Sequence, residues 1–226
     1  MSNSESFIEE VSSEVRRDRL FSLFKKWGWI GALLIVVVVG FATYREVQTH
    51  NLETAAQELG SRVVTALDQE DPSDQIDALK QIQADGPDAR AIVDFYLAEL
   101  HQQNDNTREA LDTLESLADD DEVSIVYRDL AEIKAILLSE GSVPYDDLIS
   151  RLDALSISGS TFRTISTELK GYYLIGLSEE TSNPELRQEG LSVLRDVYAD
   201  AEASANLRFR ISQFLTALGE GTSVQN

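Results

Sequence analysis

The chain has 226 residues, 19 of them basic and 40 acidic, and no cysteine. A formal charge of −21 repels nucleic acid and anionic headgroups. The lack of cysteine excludes disulfides, thiol catalysis and cysteine-held metals, and leaves the chain safe in an oxidising compartment.

The charge is unevenly placed. Residues 1–26 carry five basic and five acidic side chains, so the whole deficit, 14 basic against 35 acidic, falls beyond Tyr44. In "SESFIEEVSSEVRRDRLFSLF", Ser6 with Glu9 fits a capping box, and Ile8, Val11 and Val15 keep helical spacing. That pattern predicts a cytoplasmic amphipathic segment over 1–26. Its Leu20, Phe21, Leu23 and Phe24 suit a flank lying on a membrane better than a protein partner.

From Trp27 to Tyr44 run 18 residues without a charge, about 27 Å of helix at ~1.5 Å per residue, near the thickness of a bilayer core. Trp27 and Trp29 at one end and Tyr44 at the other fall where aromatic belts settle, with Lys25 and Lys26 just outside. Only Arg45, beside Glu46, directly follows, so the positive-inside rule leaves the N-terminus in the cytoplasm and exports the acidic body. A cleaved signal would need a shorter basic region and a small-x-small site, which "GFATYREVQTH" lacks. Residues 27–44 therefore read as an uncleaved single-pass transmembrane helix, with an unrecognised cleavage or a buried core helix as the alternatives.

Residues 45–72 read as a helical stem, since no proline interrupts 27–71. Over 73–218, apolar residues recur at helical spacing, as in Ile92, Phe95, Tyr96, Leu100 and in Val126, Leu130, Ile133, Leu137. Breaker clusters such as "ADGPD", "QQNDN", "SEGSVP" and "SEETSNP" separate these stripes and are too short for linkers. Residues 219–226 read as a disordered tail. The expected fold is all-α, one N-terminal transmembrane helix followed by a tetratricopeptide-like hairpin solenoid.

The tetratricopeptide repeat has a period near 34, with small residues at position 8 of its first helix and position 20 in its second. Ala98 and Ala110 stand 12 apart, Ala131 follows Ala98 by 33, and Ala78 precedes Ala110 by 32. Gly171 and Gly190 repeat the theme at a separation of 19. A non-repeating helical bundle with ordinary small core residues is the alternative. "ANLRFRISQFLTALG" reads as the solvent-facing terminal helix of a solenoid. With Ala98, Ala131 and Gly171 at position 8, the groove-facing positions 5 and 9 become Phe95, Glu99, Arg128, Glu132, Glu168 and Tyr172, against the plainer reading that these solvate the surface or pack the core. Phe95, Glu99 and Glu132 depart from a basic carboxylate clamp, which disfavours an acidic C-terminal tail as ligand.

Chemistry-bearing patterns are missing. His50 and His101 lie 51 apart, neither with a second histidine at zinc-helix spacing. "DDDE" at 119–122 lacks the alternating ligands and glycine of an EF-hand, and "GEGTS" neither follows a strand nor opens a helix. No nucleophile elbow or paired-acid motif is present. The expectation is no enzyme, no metal, no cofactor and no small-molecule substrate.

The segment "FIEEVSSEVRRDRLF", the span "GWIGALLIVVVVGFATYRE", a stem with "AAQEL" and the late "ELKGYYL" resemble the YfgM-like family, in particular its alphaproteobacterial members, over nearly the whole chain. The resemblance implies a single-pass protein of the bacterial inner membrane with a cytoplasmic N-terminus and a tetratricopeptide-like periplasmic domain. It implies an ancillary subunit of the SecYEG translocon, partnered with a PpiD-like membrane-anchored chaperone, that passes exported polypeptides to periplasmic chaperones. No catalytic residues come with it. The residues alone leave two alternatives, a structural scaffold for envelope assembly or cell division and, third, a hydrolase or sensor with a dispersed site.

Overall fold

A computed structural model describes residues 53–221. The expected cytoplasmic segment, the expected span with its flanking Lys25, Lys26, Trp27, Trp29 and Tyr44, the first part of the expected stem and residues 222–226 lie outside the described residues. No described helix is long and apolar enough to cross a membrane. The chain divides into two compact units, Met1–Glu58 and Leu59–Asn226. Of the first, only the helical residues 53–58 are described.

The described residues are all-α, with no strand among them beyond an isolated bridge between Glu140 and Val143. The second unit opens with helical residues 59–67 (α1). There follow α2 (Pro72–Lys80), α3 (Pro87–Gln103), α4 (Thr107–Asp119), α5 (Ile125–Leu138), α6 (Tyr145–Leu155), α7 (Arg163–Thr181), α8 (Pro184–Ala199) and α9 (Ala205–Ala217). Residues 59–67, expected in the stem, instead join the packed unit. Leu59, Val63 and Ala66 fall on one helical face and are buried with Ile76 and Leu79 of α2 and Val93, Leu97 and Leu100 of α3.

Local chemistry sets the helix starts. The Asp71 carboxylate accepts the Ser73 N–H ahead of α2, Asn183 accepts the Glu185 N–H ahead of α8, and Ser204 accepts the Leu207 N–H ahead of α9. Proline at the first helical position of α2, α3 and α8 loses no bond there. Gly86 precedes α3 at φ 95°, a conformation costly for any side chain.

From α2 to α9 each helix packs on the next, and α3 also touches α5. The closest approach joins α7 to α8. A Cβ on Gly190 would stand 2.8 Å from the Gly171 carbonyl oxygen and 2.8 Å from Ile175 Cγ1, and one on Gly171 would stand 2.7 Å from Leu194 Cγ. The two small residues therefore let the backbones touch, as their spacing predicts. Ala98 and Ala110 are likewise buried where α3 meets α4.

Ala131 packs toward α4, in one cluster with Leu114 and Leu117. The α5–α6 pair instead meets through Ile133 and Ile136 against Leu148 and Leu152, and through a forked ion pair between Arg151 and Glu132. Long side chains separate helices that small ones would bring together.

A longer period emerges instead. "EALDTLESLADDDEVSIVYRDL" at 109–130 aligns with "EGLSVLRDVYADAEASANLRFR" at 189–210, an offset of 80, with Leu111, Leu114, Asp120, Glu122, Ser124 and Arg128 matching Leu191, Leu194, Asp200, Glu202, Ser204 and Arg208. The hydrogen bonds repeat as well. Asp120 Oδ1 accepts the Glu122 N–H at 3.0 Å and Asp200 Oδ1 the Glu202 N–H at 2.8 Å. Arg128 Nε donates to the Ala118 carbonyl at 3.2 Å and Arg208 Nε to the Tyr198 carbonyl at 3.1 Å, each guanidinium closing the carboxyl end of the previous helix. By this alignment α4 and the start of α5 correspond to α8 and the start of α9, each pair preceded by a helix, α3 or α7, that packs on it.

Candidate functional site

Of the six residues expected to face a groove, Glu99 alone is exposed, and its carboxylate accepts from Gln103 Nε2 at 3.1 Å. Phe95 is half-buried and meets the Tyr127 ring edge-on, with centroids 6.2 Å apart. Arg128 is spent on the Ala118 carbonyl. Glu132 is held by Arg151, whose guanidinium also reaches Glu115 at 3.5 Å and so ties α4, α5 and α6 together. Its hydrogen bond to Glu132 raises the Arg151 pKa above its ordinary value against the effect of burial.

Glu168 is enclosed, at 2% exposure. Tyr172 Oη donates to its Oε1 at 2.8 Å, and Arg210 of α9 donates from Nε to Oε1 at 3.2 Å and from Nη2 to Oε2. Burial first, then the bond to Glu168, pushes the Tyr172 phenol well above its usual range. The same ring packs edge-on against Phe214 at 4.5 Å. Glu168 and Tyr172 thus fasten the terminal helix to α7.

The six positions therefore fall into two groups. Phe95, Glu99, Arg128 and Glu132 lie on α3 and α5, while Glu168 and Tyr172 belong to the α7–α9 contact. Beside the first group is a cavity of about 260 Å³ lined by Ala98, Glu99 and Gln102 of α3, Leu114 of α4, and Lys134, Leu137 and Leu138 of α5. Lys134 makes no ion pair with a described residue. Leu137, counted in the apolar stripe of its helix, is 45% exposed at this rim. The buried face of α5 is instead carried by Ala131, Ala135, Ile133 and Ile136. Sequence reasoning passed over Lys134 and Gln102, and a signal was available: each lies three residues beyond a predicted groove or small position, one helical turn along the same side.

A wider depression between α1 and α2, about 470 Å³, is lined mostly by polar side chains such as Ser61, Thr65, Gln69 and Gln81. Its rim includes Arg62, which donates to the Gln83 carbonyl at 2.9 Å. It holds none of the six expected groove positions.

Two carboxyls are pushed above their ordinary value by burial: Asp94 of α3, where Arg90 opposes the rise and Asp120 adds to it, and Asp129 of α5, where the Ser160 hydroxyl and Arg128 oppose it. His101 sits in the last turn of α3 with Nδ1 buried and unpartnered, and burial lowers its pKa. No cluster of three or more metal-ligating side chains occurs among the described residues. The run at 119–122 serves as a turn, with Asp120 binding the Glu122 amide. Comparison with models of protein families and with curated proteins finds no match to this chain.

Proposed function

We propose that the chain is a membrane-anchored periplasmic adaptor built on tetratricopeptide-like hairpins, which holds protein partners on its α3–α5 side. The observation that supports it best is the repeated three-helix arrangement, closed by aromatic and ionic contacts at α7–α9 and left with a cavity at α3–α5. Helical arrays of this kind offer side chains from successive helices to an extended partner. The reading assigns no catalytic step, cofactor or small-molecule substrate.

The partners proposed are the SecYEG translocon, a PpiD-like chaperone and exported polypeptides. The location proposed is the bacterial inner membrane, with a single pass, a cytoplasmic N-terminus and a periplasmic body. The basic residues support that topology, since Arg16, Arg17, Arg19, Lys25 and Lys26 precede residues 27–44 while only Arg45 directly follows.

Crosslinking the full-length protein in mild detergent, followed by mass spectrometry, tests the partners. Translocon subunits and periplasmic chaperones should be recovered. Division or peptidoglycan proteins without translocon would favour the envelope scaffold instead. A reporter that is active only in the cytoplasm, fused after Asn226, should stay silent, and activity there would overturn the orientation.

A further inference from the structure

The internal repeat permits a comparison of the chain with itself. At an offset of 80, Leu114 corresponds to Leu194, Lys134 to Phe214, Leu137 to Ala217 and Leu138 to Leu218. Between α3 and α7 the small residues set the register. Ala98 shares a buried cluster with Leu114, and Gly171 abuts Leu194, so Glu99 corresponds to Tyr172 and Gln102 to Ile175. The residues lining the α3–α5 cavity thus map onto a filled place in α7–α9. There Tyr172 and Phe214 meet at 4.5 Å and 62°, and Ile175 and Leu194 are buried beneath them.

Where the second copy places two rings, the first has a carboxylate and an ammonium on flexible stems, and about 260 Å³ stays open between them. That is roughly nine times the ~30 Å³ share of one water in the liquid. The floor, from Ala98, Leu114 and Leu138, is apolar, the walls from Glu99, Gln102 and Lys134 are polar, and Leu137 is exposed at the edge. Such a mixed site suits a side chain with an apolar body that also meets charged neighbours, as an aromatic ring does. Lys134, with no acidic partner among the described residues, has its ammonium available for a ring face. Glu99 stands exposed at the rim and offers an acceptor to a backbone N–H.

We infer that this cavity receives one aromatic side chain of the bound polypeptide, at the place that Phe214 fills in the second copy of the motif. The inference rests on the adaptor reading and names the feature of the partner that the adaptor recognises. Glu99, Lys134 and Leu137 set the preference, and the α7–α9 end is closed to the same ligand by its own rings.

The test uses the full chain in mild detergent and fluorescent peptides of neutral glycine-serine sequence with one central Phe, Tyr, Leu or Ser, read by anisotropy. Phe and Tyr peptides should bind about tenfold more tightly than the Ser peptide. The double substitution Glu99→Tyr with Lys134→Phe, which copies the filled site, should abolish the preference while circular dichroism and melting temperature are kept. Leu137→Ser, at an exposed position, should weaken the Phe peptide alone. Equal binding of all four peptides, no binding of any, or a preference that survives in the filled variant overturns the inference. The adaptor reading then stands or falls separately on the crosslinked partners: translocon recovery keeps it, and loss of both peptide and protein partners removes it.

Discussion

Replacing Gly190 by alanine sets two opposing effects against each other. In a helix interior, Gly to Ala stabilises by about 1 kcal/mol, because glycine loses more backbone freedom on folding. Against this, the new methyl would lie 2.8 Å from the Gly171 carbonyl oxygen, 2.8 Å from Ile175 Cγ1 and 3.1 Å from Leu174 Cβ. The nearest of these is backbone and cannot rotate away, so α7 and α8 must separate, and overpacking of this kind costs about 1–3 kcal/mol. Steric cost should win, for a net loss of about 1 kcal/mol and a fall of roughly 2–4 °C in melting temperature. Gly60→Ala supplies the control, since nothing lies within 4 Å of that site and α1 is helical there. It should stabilise by up to about 1 kcal/mol. Guanidinium titration of both variants, followed by circular dichroism, decides the matter. A Gly190→Ala protein as stable as Gly60→Ala would refute the close approach of α7 and α8.

Three further outcomes are expected. Arg210→Ala leaves the Glu168 carboxylate buried with only the Tyr172 hydroxyl; with Arg210 53% exposed, the loss should be about 2 kcal/mol, below the range for a fully buried pair. Glu168→Phe with Arg210→Leu, copying Phe95 and Leu130, should recover most of it in the same titration. Ser204→Ala removes the acceptor of the Leu207 N–H and should cost about 1 kcal/mol, whereas Ser124→Ala, with no such side-chain bond, should cost under about 0.5 kcal/mol by thermal melting. Asp94 has a folded pKa above its ordinary 3.8, so its native carboxyl binds a proton more readily than the unfolded one. Its charge therefore works against stability above the raised value, and that effect vanishes below 3.8. Asp94→Asn should raise the melting temperature at pH 7 and lose the advantage as the pH falls toward 3.8.

Helix periodicity and turn chemistry made most of the secondary structure readable, because amphipathic stripes and N-cap residues act over one or two turns. The Gly171 and Gly190 contact was readable for a similar reason, since only the smallest residue admits another backbone. Ala131 does not by itself say which neighbour it meets, because alanine is buried equally well on either side of a helix; the direction is fixed by bulkier Ile133 and Ile136, which take the α6 side. The 80-residue period was hidden by unequal hairpins, since the small residues of α3 and α4 are 12 apart and those of α7 and α8 are 19 apart. Glu168 reads as groove-facing because its partner, Arg210, stands 42 residues away on a helix read as solvent-facing. Glu220, read as part of a free tail, is tied to α8 by Arg195 at 2.8 Å, again through a partner distant in sequence.

The twin turns at Asp120 and Asp200 make the chain additive. Each carries its own Asx bond, its own serine start and its own arginine closure on the helix before it. A block of 80 residues begins and ends on the same joint, so a duplication or excision between those aspartates calls for no new turn to be invented. Reach is then counted in whole blocks, and a shorter or longer version of this protein would differ by four helices at a time.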